Sequence, residues 1–223
     1  MSRQPTDEKA PMMDDDSASS GTVSTEYDER IIYFTCEVSE STVSNAIASM
    51  FTLQHRDAFK PIYMVIETFG GYVDSMFSLY DAMKFITCPV HTIALGKVMS
   101  AGVLILAAGE KGSRLIAPHA RIMTHASSMS LSGNAFEIKN ELAEAERQED
   151  MWLDAMAAET GTKRQVFEEL NNCSVDQYLT PQKCIELGIA DRLMYDPKHV
   201  GLKGRAAARK PIVRATGHRV KKS

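Results

Sequence analysis

The chain has 223 residues, 44% of them hydrophobic and 24% charged, which is enough for one domain around a sizeable core and excludes a chain disordered throughout. Its longest apolar stretches, such as residues 103–108, fall far short of the roughly 18 to 20 residues that cross a bilayer, so no transmembrane helix is expected. The net charge of −4 conceals a segregation: residues 1–29 carry eight acids and two bases, whereas residues 197–223 carry nine Lys or Arg and no acid.

Both ends are poor in large apolar residues and rich in Ser, Pro, Gly or Ala, the composition of mobile tails. The expected organisation is an acidic, Ser-rich, disordered tail over 1–29, a folded domain over 30–195 and a basic, disordered tail over 196–223. The N-terminus lacks a basic segment followed by an apolar run, and Asp14-Asp15-Asp16 speaks against a transit peptide, so a cytoplasmic location is expected. Cys36, Cys88, Cys173 and Cys184 form no C-x-x-C pair and read as reduced packing or loop cysteines, not as a metal site or disulfide framework.

In chain order, Arg30 to Thr35 is dense in β-branched and aromatic residues and predicts a strand. Ser39 to Ser44 supplies capping residues, after which Val43, Ile47, Met50 and Phe51 recur at helical spacing. Ile62 to Ile66 is a second apolar strand, closed by Gly70-Gly71 and followed by a helix marked by Val73, Met76, Phe77, Tyr80 and Met83. Pro89 opens a third strand, Val90 to Leu95, which reaches Gly96 and turns into an apolar helix near Ser100 to Ala108. Ala120 to Thr124 is a fourth strand. Continuous apolar strands alternating with helices predict an α/β fold with a parallel sheet covered on both faces. From Asn134 to Glu159 runs a mostly polar helix without Pro or Gly, about 39 Å long at 1.5 Å per residue, longer than the domain needs for its own core. Part of it is expected to contact another subunit.

In open α/β sheets, reactive groups collect at the carboxyl ends of strands, and three candidates fall there. Ser100 stands in the strand-to-helix turn Gly96-Lys97-Val98-Met99-Ser100-Ala101-Gly102, where small neighbours leave room for a substrate; alone, it reads more readily as a helix cap. Gly70-Gly71 lets the backbone point N–H groups at an oxyanion, although such pairs are frequent in ordinary turns. His125 ends a buried strand, well placed for proton transfer, while a lone histidine is more often a packing residue.

Taken together, the Gly-Gly strand end, 29 residues from Gly71 to Ser100 and 25 more to His125 resemble the Clp protease proteolytic subunit (ClpP) family. Further matching runs are Tyr63-Met64-Val65-Ile66, Tyr80 to Ile86, Leu106-Ala107-Ala108-Gly109, Asp176-Gln177-Tyr178-Leu179-Thr180-Pro181 and Cys184 to Asp191. The resemblance implies a ClpP/crotonase-like stack of βα units with a protruding handle helix. It implies Ser100 as nucleophile, His125 as general base, Asp176 as its orienting acid, and the backbone N–H groups of Gly71 and Ala101 as oxyanion hole. Asp191 and Glu186 lie near Asp176 in sequence but do not match the family's run.

The same resemblance implies heptameric rings stacked as a tetradecamer, fed with unfolded polypeptide by a Clp-type AAA+ unfoldase. That partner would dock in a cleft at Tyr63, Val65, Phe85, Ile93 and Leu115. The chain has no Walker A pattern, so ATP and Mg would belong to the partner, and no cofactor or metal is read in the chain itself. The basic tail has no accompanying aromatic residue, which disfavours nucleic acid. Several positions depart from the family. Thr68-Phe69 replaces Ser-Pro before the glycines, Ala101 replaces Met after the nucleophile, Ser127 stands where Pro is usual, and Val175 replaces an Arg expected to pair between rings. The alternatives are a structural or regulatory subunit of a mixed ring with little activity, a Ser–Lys peptidase using Lys97 or Lys111, and a crotonase-type acyl-CoA enzyme.

Overall fold

The computed structural model describes residues 30–171 and 175–197. The expected tails over 1–29 and 196–223 lie outside the described residues, apart from Asp196 and Pro197.

The chain runs β1 (Ile31–Phe34), α1 (Glu40–Arg56), β2 (Ile62–Thr68), α2 (Val73–Phe85), β3 (Val90–Met99), α3 (Ala101–Ala107), β4 (Leu115–Ile116), β5 (Arg121–Thr124), α4 (Ala135–Thr160), α5 (Arg164–Asn171), β6 (Gln177–Leu179), α6 (Pro181–Glu186) and β7 (Arg192–Leu193). The sheet has the order β1-β2-β3-β4-β7, all parallel. The βα alternation makes this hand of sheet possible, because each parallel return needs a crossover helix.

β3 is ten residues long, where the sequence suggested six, and it serves two sheet sections. Its first part pairs with β4 through Ile93↔Leu115, and its second pairs with β5 through Lys97↔Arg121, Val98↔Ile122 and Met99↔Met123. Against β2 the register passes from Ile66↔Ala94 to Thr68↔Val98, so β3 carries two extra residues there. That bulge carries the strand past Gly96 and delivers Met99 and Ser100 beside the end of β5.

α3 is buried along all seven residues, from Ala101 to Ala107, and forms the centre of the core with Ile32, Phe34, Met64, Ile66 and Leu79. The expectation of a sheet covered on both faces needs correction. Burial alternates along β2, and Tyr33 on β1 is 47% exposed, because α1, α2 and α3 cover one face while the other keeps Tyr33, Tyr63 and Val65 partly open.

α4 is 26 residues long, as its sequence predicts. Asn134 caps it, with Oδ1 accepting from the N–H groups of Phe136 and Glu137 at 2.9 and 3.2 Å while Glu137 accepts from the Asn134 N–H at 2.8 Å. Its buried residues, Leu153, Met156 and Glu159, all lie in the last third, so the first half projects from the domain.

Candidate active site

β3, α3 and β5 build the site. Ser100 sits between β3 and α3 with φ 51° and ψ −123°, and it is the one non-glycine residue with positive φ among the described residues. This region is hostile to a Cβ and costs of order 1–3 kcal/mol, and it holds only because the surroundings fix it. The Ser100 N–H donates to the Met123 carbonyl at 2.8 Å, and the Ser100 carbonyl accepts from Val103 N–H at 2.9 Å. The turn thus lifts the hydroxyl off the strand end and aims it across the carboxyl edge of the sheet.

His125 follows β5 directly, and its Nε2 lies 2.9 Å from Ser100 Oγ. Antiparallel pairing of β5 with β6 runs Ile122↔Leu179, Met123↔Tyr178, Thr124↔Gln177, and one further step of that register sets His125 opposite Asp176. Asp176 Oδ1 is 4.0 Å from His125 Nδ1, an ion-pair distance longer than a hydrogen bond. The sequence-predicted Ser100, His125 and Asp176 therefore meet in one place, with the third member set back.

Gly70 and Gly71 close the site from the end of β2. A Cβ on Gly70, whose φ is +103°, would lie 2.7 Å from Ser100 Cβ and 2.9 Å from the Met99 carbonyl, and one on Gly71 would collide with the backbone of Val38. Only glycine lets this loop press against the Ser100 turn. Gly71 and Ala101 line the same cleft as Ser100 and His125. The Ala101 N–H belongs to the first turn of α3, where no intrahelical acceptor exists.

The rival acids and bases are occupied elsewhere. Asp191 takes both ends of the Arg114 guanidinium, Nη2 to Oδ1 at 2.6 Å and Nε to Oδ2 at 3.0 Å, and Glu186 pairs with Lys183 at 3.3 Å. Lys97 Nζ is 3.1 Å from Glu67 and lies 4.4 Å over the Phe69 ring, and Lys111 is exposed in a turn. Among the described residues the Ser–Lys alternative therefore finds no lysine bonded to Ser100. Among the described residues no group of His, Cys, Asp or Glu could hold a metal ion.

Of the five cleft residues read from the sequence, Phe85 is 75% exposed, Tyr63 and Val65 are partly buried, and Ile93 and Leu115 are 6% and 7% exposed. Sequence reasoning missed a buried pair behind the site: Thr124 Oγ1 donates to Asn171 Oδ1 at 2.9 Å, tying the residue before His125 to the end of α5. A polar residue at the end of an apolar strand was its only signal.

A parallel α/β sheet that presents a hydroxyl and an imidazole in hydrogen-bond contact at its carboxyl edge defines a serine-type hydrolase. The family profile for Clp protease matches residues 15–197. The chain is 36% identical over 174 residues to the ATP-dependent Clp protease proteolytic subunit 2 of Prochlorococcus marinus (strain MIT 9313), covering 76% of this chain and 84% of the relative. Subunit 3 of Synechococcus sp. (strain CC9902) is 33% identical over the same shares. Subunit 1 of Bifidobacterium longum (strain NCC 2705) is 30% identical over 75% of this chain and 72% of its own length. The chain belongs to the Clp protease family as a proteolytic subunit, a serine hydrolase of peptide bonds.

Proposed function

We propose that Ser100, His125 and Asp176 act as a catalytic triad, with the N–H groups of Gly71 and Ala101 as the oxyanion hole. Ser100 Oγ attacks the scissile carbonyl carbon while His125 Nε2 accepts the hydroxyl proton, and the carbonyl oxygen gains its negative charge against the two N–H groups. His125 then hands the proton to the departing amine, leaving an acyl ester on Ser100. Water, deprotonated by the same imidazole, attacks that ester and releases the carboxyl product. Asp176 stabilises the imidazolium by charge from its present distance, and an approach of about 1 Å would add a hydrogen bond to Nδ1–H.

The observation that carries this reading is the 2.9 Å Ser100–His125 contact at a strained, glycine-packed turn. Labelling with an active-site serine probe and mapping of the modified peptide tests it. Ser100→Ala is expected to abolish labelling and to lower peptide cleavage by several orders of magnitude. Equal labelling of both proteins would defeat the assignment. The 4.0 Å gap to Asp176 favours one second reading, a structural or regulatory subunit of a mixed ring. An unlabelled, uncleaving wild type that gains both properties only with a second proteolytic subunit would establish it.

On the leading reading the folded unit of residues 30–195 assembles into rings of seven stacked in pairs. A Clp-type AAA+ unfoldase delivers unfolded polypeptide to it and supplies the ATP and Mg chemistry. The projecting half of α4 and the open apolar face of the sheet support assembly with other chains. A cytoplasmic setting accompanies this reading, and among the described residues no helix is long and apolar enough to cross a membrane.

A further inference from the structure

Where β2 runs out beside β3 the pairing skips from Ile66↔Ala94 to Thr68↔Val98, so Leu95, Gly96 and Lys97 all stand opposite the single residue Glu67. Gly96 makes room for that carboxylate: its φ is +52°, and a Cβ there would lie 2.7 Å from Glu67 Oε1. Lys97 Nζ reaches the same oxygen at 3.1 Å and stands 4.4 Å over the ring of Phe69. One amine therefore grips the chain on both sides of Thr68, by an ion pair before it and a cation–π contact after it.

The glycines come next. Gly70 and Gly71 have φ of +103° and +153° and no side chain to hold them. One flank of the loop is fixed by backbone bonds, Val38 N–H to the Gly70 carbonyl and Tyr72 N–H to the Val38 carbonyl, both at 2.8 Å, and the Gly70 N–H donates to Thr68 Oγ1 at 3.0 Å. None of these bonds uses the Gly71 N–H. On the other flank the nearest side chain is Phe69, 72% exposed, and Lys97 holds it from a firm base. The Lys97 backbone is paired with Arg121 of β5, and Ser100 stands three residues further along the same strand end. The strand that delivers the hydroxyl thus also restrains the loop that carries the Gly71 N–H.

We propose, resting on the reading of Ser100 as nucleophile and Gly71 as an oxyanion donor, that Lys97 is a positioning residue, a clamp that sets the Gly70-Gly71 loop against Ser100 through Phe69 and Glu67. A partly exposed ion pair and ring contact add little to global stability, so loss of the clamp shows in the reaction and not in the melting temperature. The test uses the full-length protein, a small fluorophosphonate, and a short peptide ester with its thiono counterpart, in which sulfur replaces the carbonyl oxygen and accepts hydrogen bonds poorly. Lys97→Met is expected to lower kcat on the oxo ester roughly tenfold with KM within about twofold, and to shrink the oxo-to-thiono rate ratio by a similar factor. Phe69→Leu is expected to follow it. Lys97→Arg and Phe69→Tyr, which keep the charge and the ring, are expected to stay within about twofold of wild type. Unchanged kinetics in Lys97→Met, a rise in KM alone, or a loss that leaves the oxo-to-thiono ratio where it was would overturn the clamp. Failure of the fluorophosphonate to label Ser100 in the wild type would instead bring down the nucleophile reading, and the clamp with it.

Discussion

Arg114 is 4% exposed, and each nitrogen of its guanidinium donates to a partner. Besides Asp191, its Nη1 donates to the carbonyls of Ala107 and Glu159 at 3.2 and 3.1 Å, so one side chain ties the ends of α3 and α4 to the strand start at β7. Burial alone would raise the Asp191 pKa, but the hydrogen bonds from Arg114 and from the Gly112 N–H outweigh it and hold the carboxyl below the ordinary range. A carboxyl that ionises at lower pH when folded stabilises fully above the unfolded value of about 4, and that contribution is lost as the pH falls through the depressed folded value. Asp191→Asn should therefore flatten the acid limb of thermal unfolding measured from pH 6 down to pH 2. At neutral pH it should cost about 2–4 kcal/mol, below the top of the range for buried pairs because a fifth of the Asp191 side chain is in solvent. An unchanged acid limb would show that the pair carries no linkage.

At the scale of elements, the projecting half of α4 makes the sharpest demand. Its base is held by Arg164 on α5, which reaches Asp150, Asp154 and Glu168, while Phe136 and Leu142 further out are 85% and 42% exposed. A capped helix whose apolar side chains face nothing in its own domain has its partner in another chain. Native mass measurement should find about 14 subunits, and Phe136→Glu with Leu142→Glu should halve the assembly to about seven while leaving each ring whole. Monomers of the wild type at micromolar concentration would contradict this. The helix was legible in sequence because it runs from a capping Asn to a Gly without interruption, and the Ser100 turn because small residues cluster there. The length of β3 was not, since its apolar pattern breaks at Gly96 and Lys97 and only the pairing with β5 extends it. Nor was the open face of the sheet: β1 and β2 are apolar on both sides, and a face reserved for another subunit has the same composition as one covered by a helix. Asp176 was found through the family's run of residues. Its distance from His125 depends on the pairing of a three-residue strand, which no local pattern encodes.

For the whole molecule, exposed apolar side chains at the ends of α1 and α2 and on the open face of the sheet have a consequence for partners. Phe85 stands 6.1 Å from Phe51, centroid to centroid, and Phe59 nearby in sequence is 88% exposed. Tyr63 sits edge-on to His91 at 5.1 Å. Each apolar anchor that a partner loop buried there would contribute roughly 1.5–3 kcal/mol, weak alone and strengthened when several equivalent sites in a ring are engaged together. Phe85→Ser removes exposed surface and not core. It should abolish ATPase-stimulated protein degradation while peptide cleavage and assembly mass stay nearly constant. Ile93 and Leu115 are core positions, so substitution there should lower stability before it informs on docking. Collapse of assembly and of both activities in Phe85→Ser would mean that the residue serves subunit packing.

On the reading of Ser100 as nucleophile, its dihedral angles set thermostability against activity. Glycine in place of alanine ordinarily weakens an ordered position by up to about 1 kcal/mol, but at φ 51°, ψ −123° the Cβ itself is the burden. Ser100→Gly is therefore expected to unfold at a higher denaturant concentration than Ser100→Ala, the reverse of the usual order, although both lack the hydroxyl. Selection acting on heat resistance alone would carry position 100 toward glycine and, on the nucleophile reading, silence the subunit. A lineage that keeps serine there has accepted a less durable fold for the sake of the reaction, and one released from catalysis inside a mixed ring would be free to drift the other way.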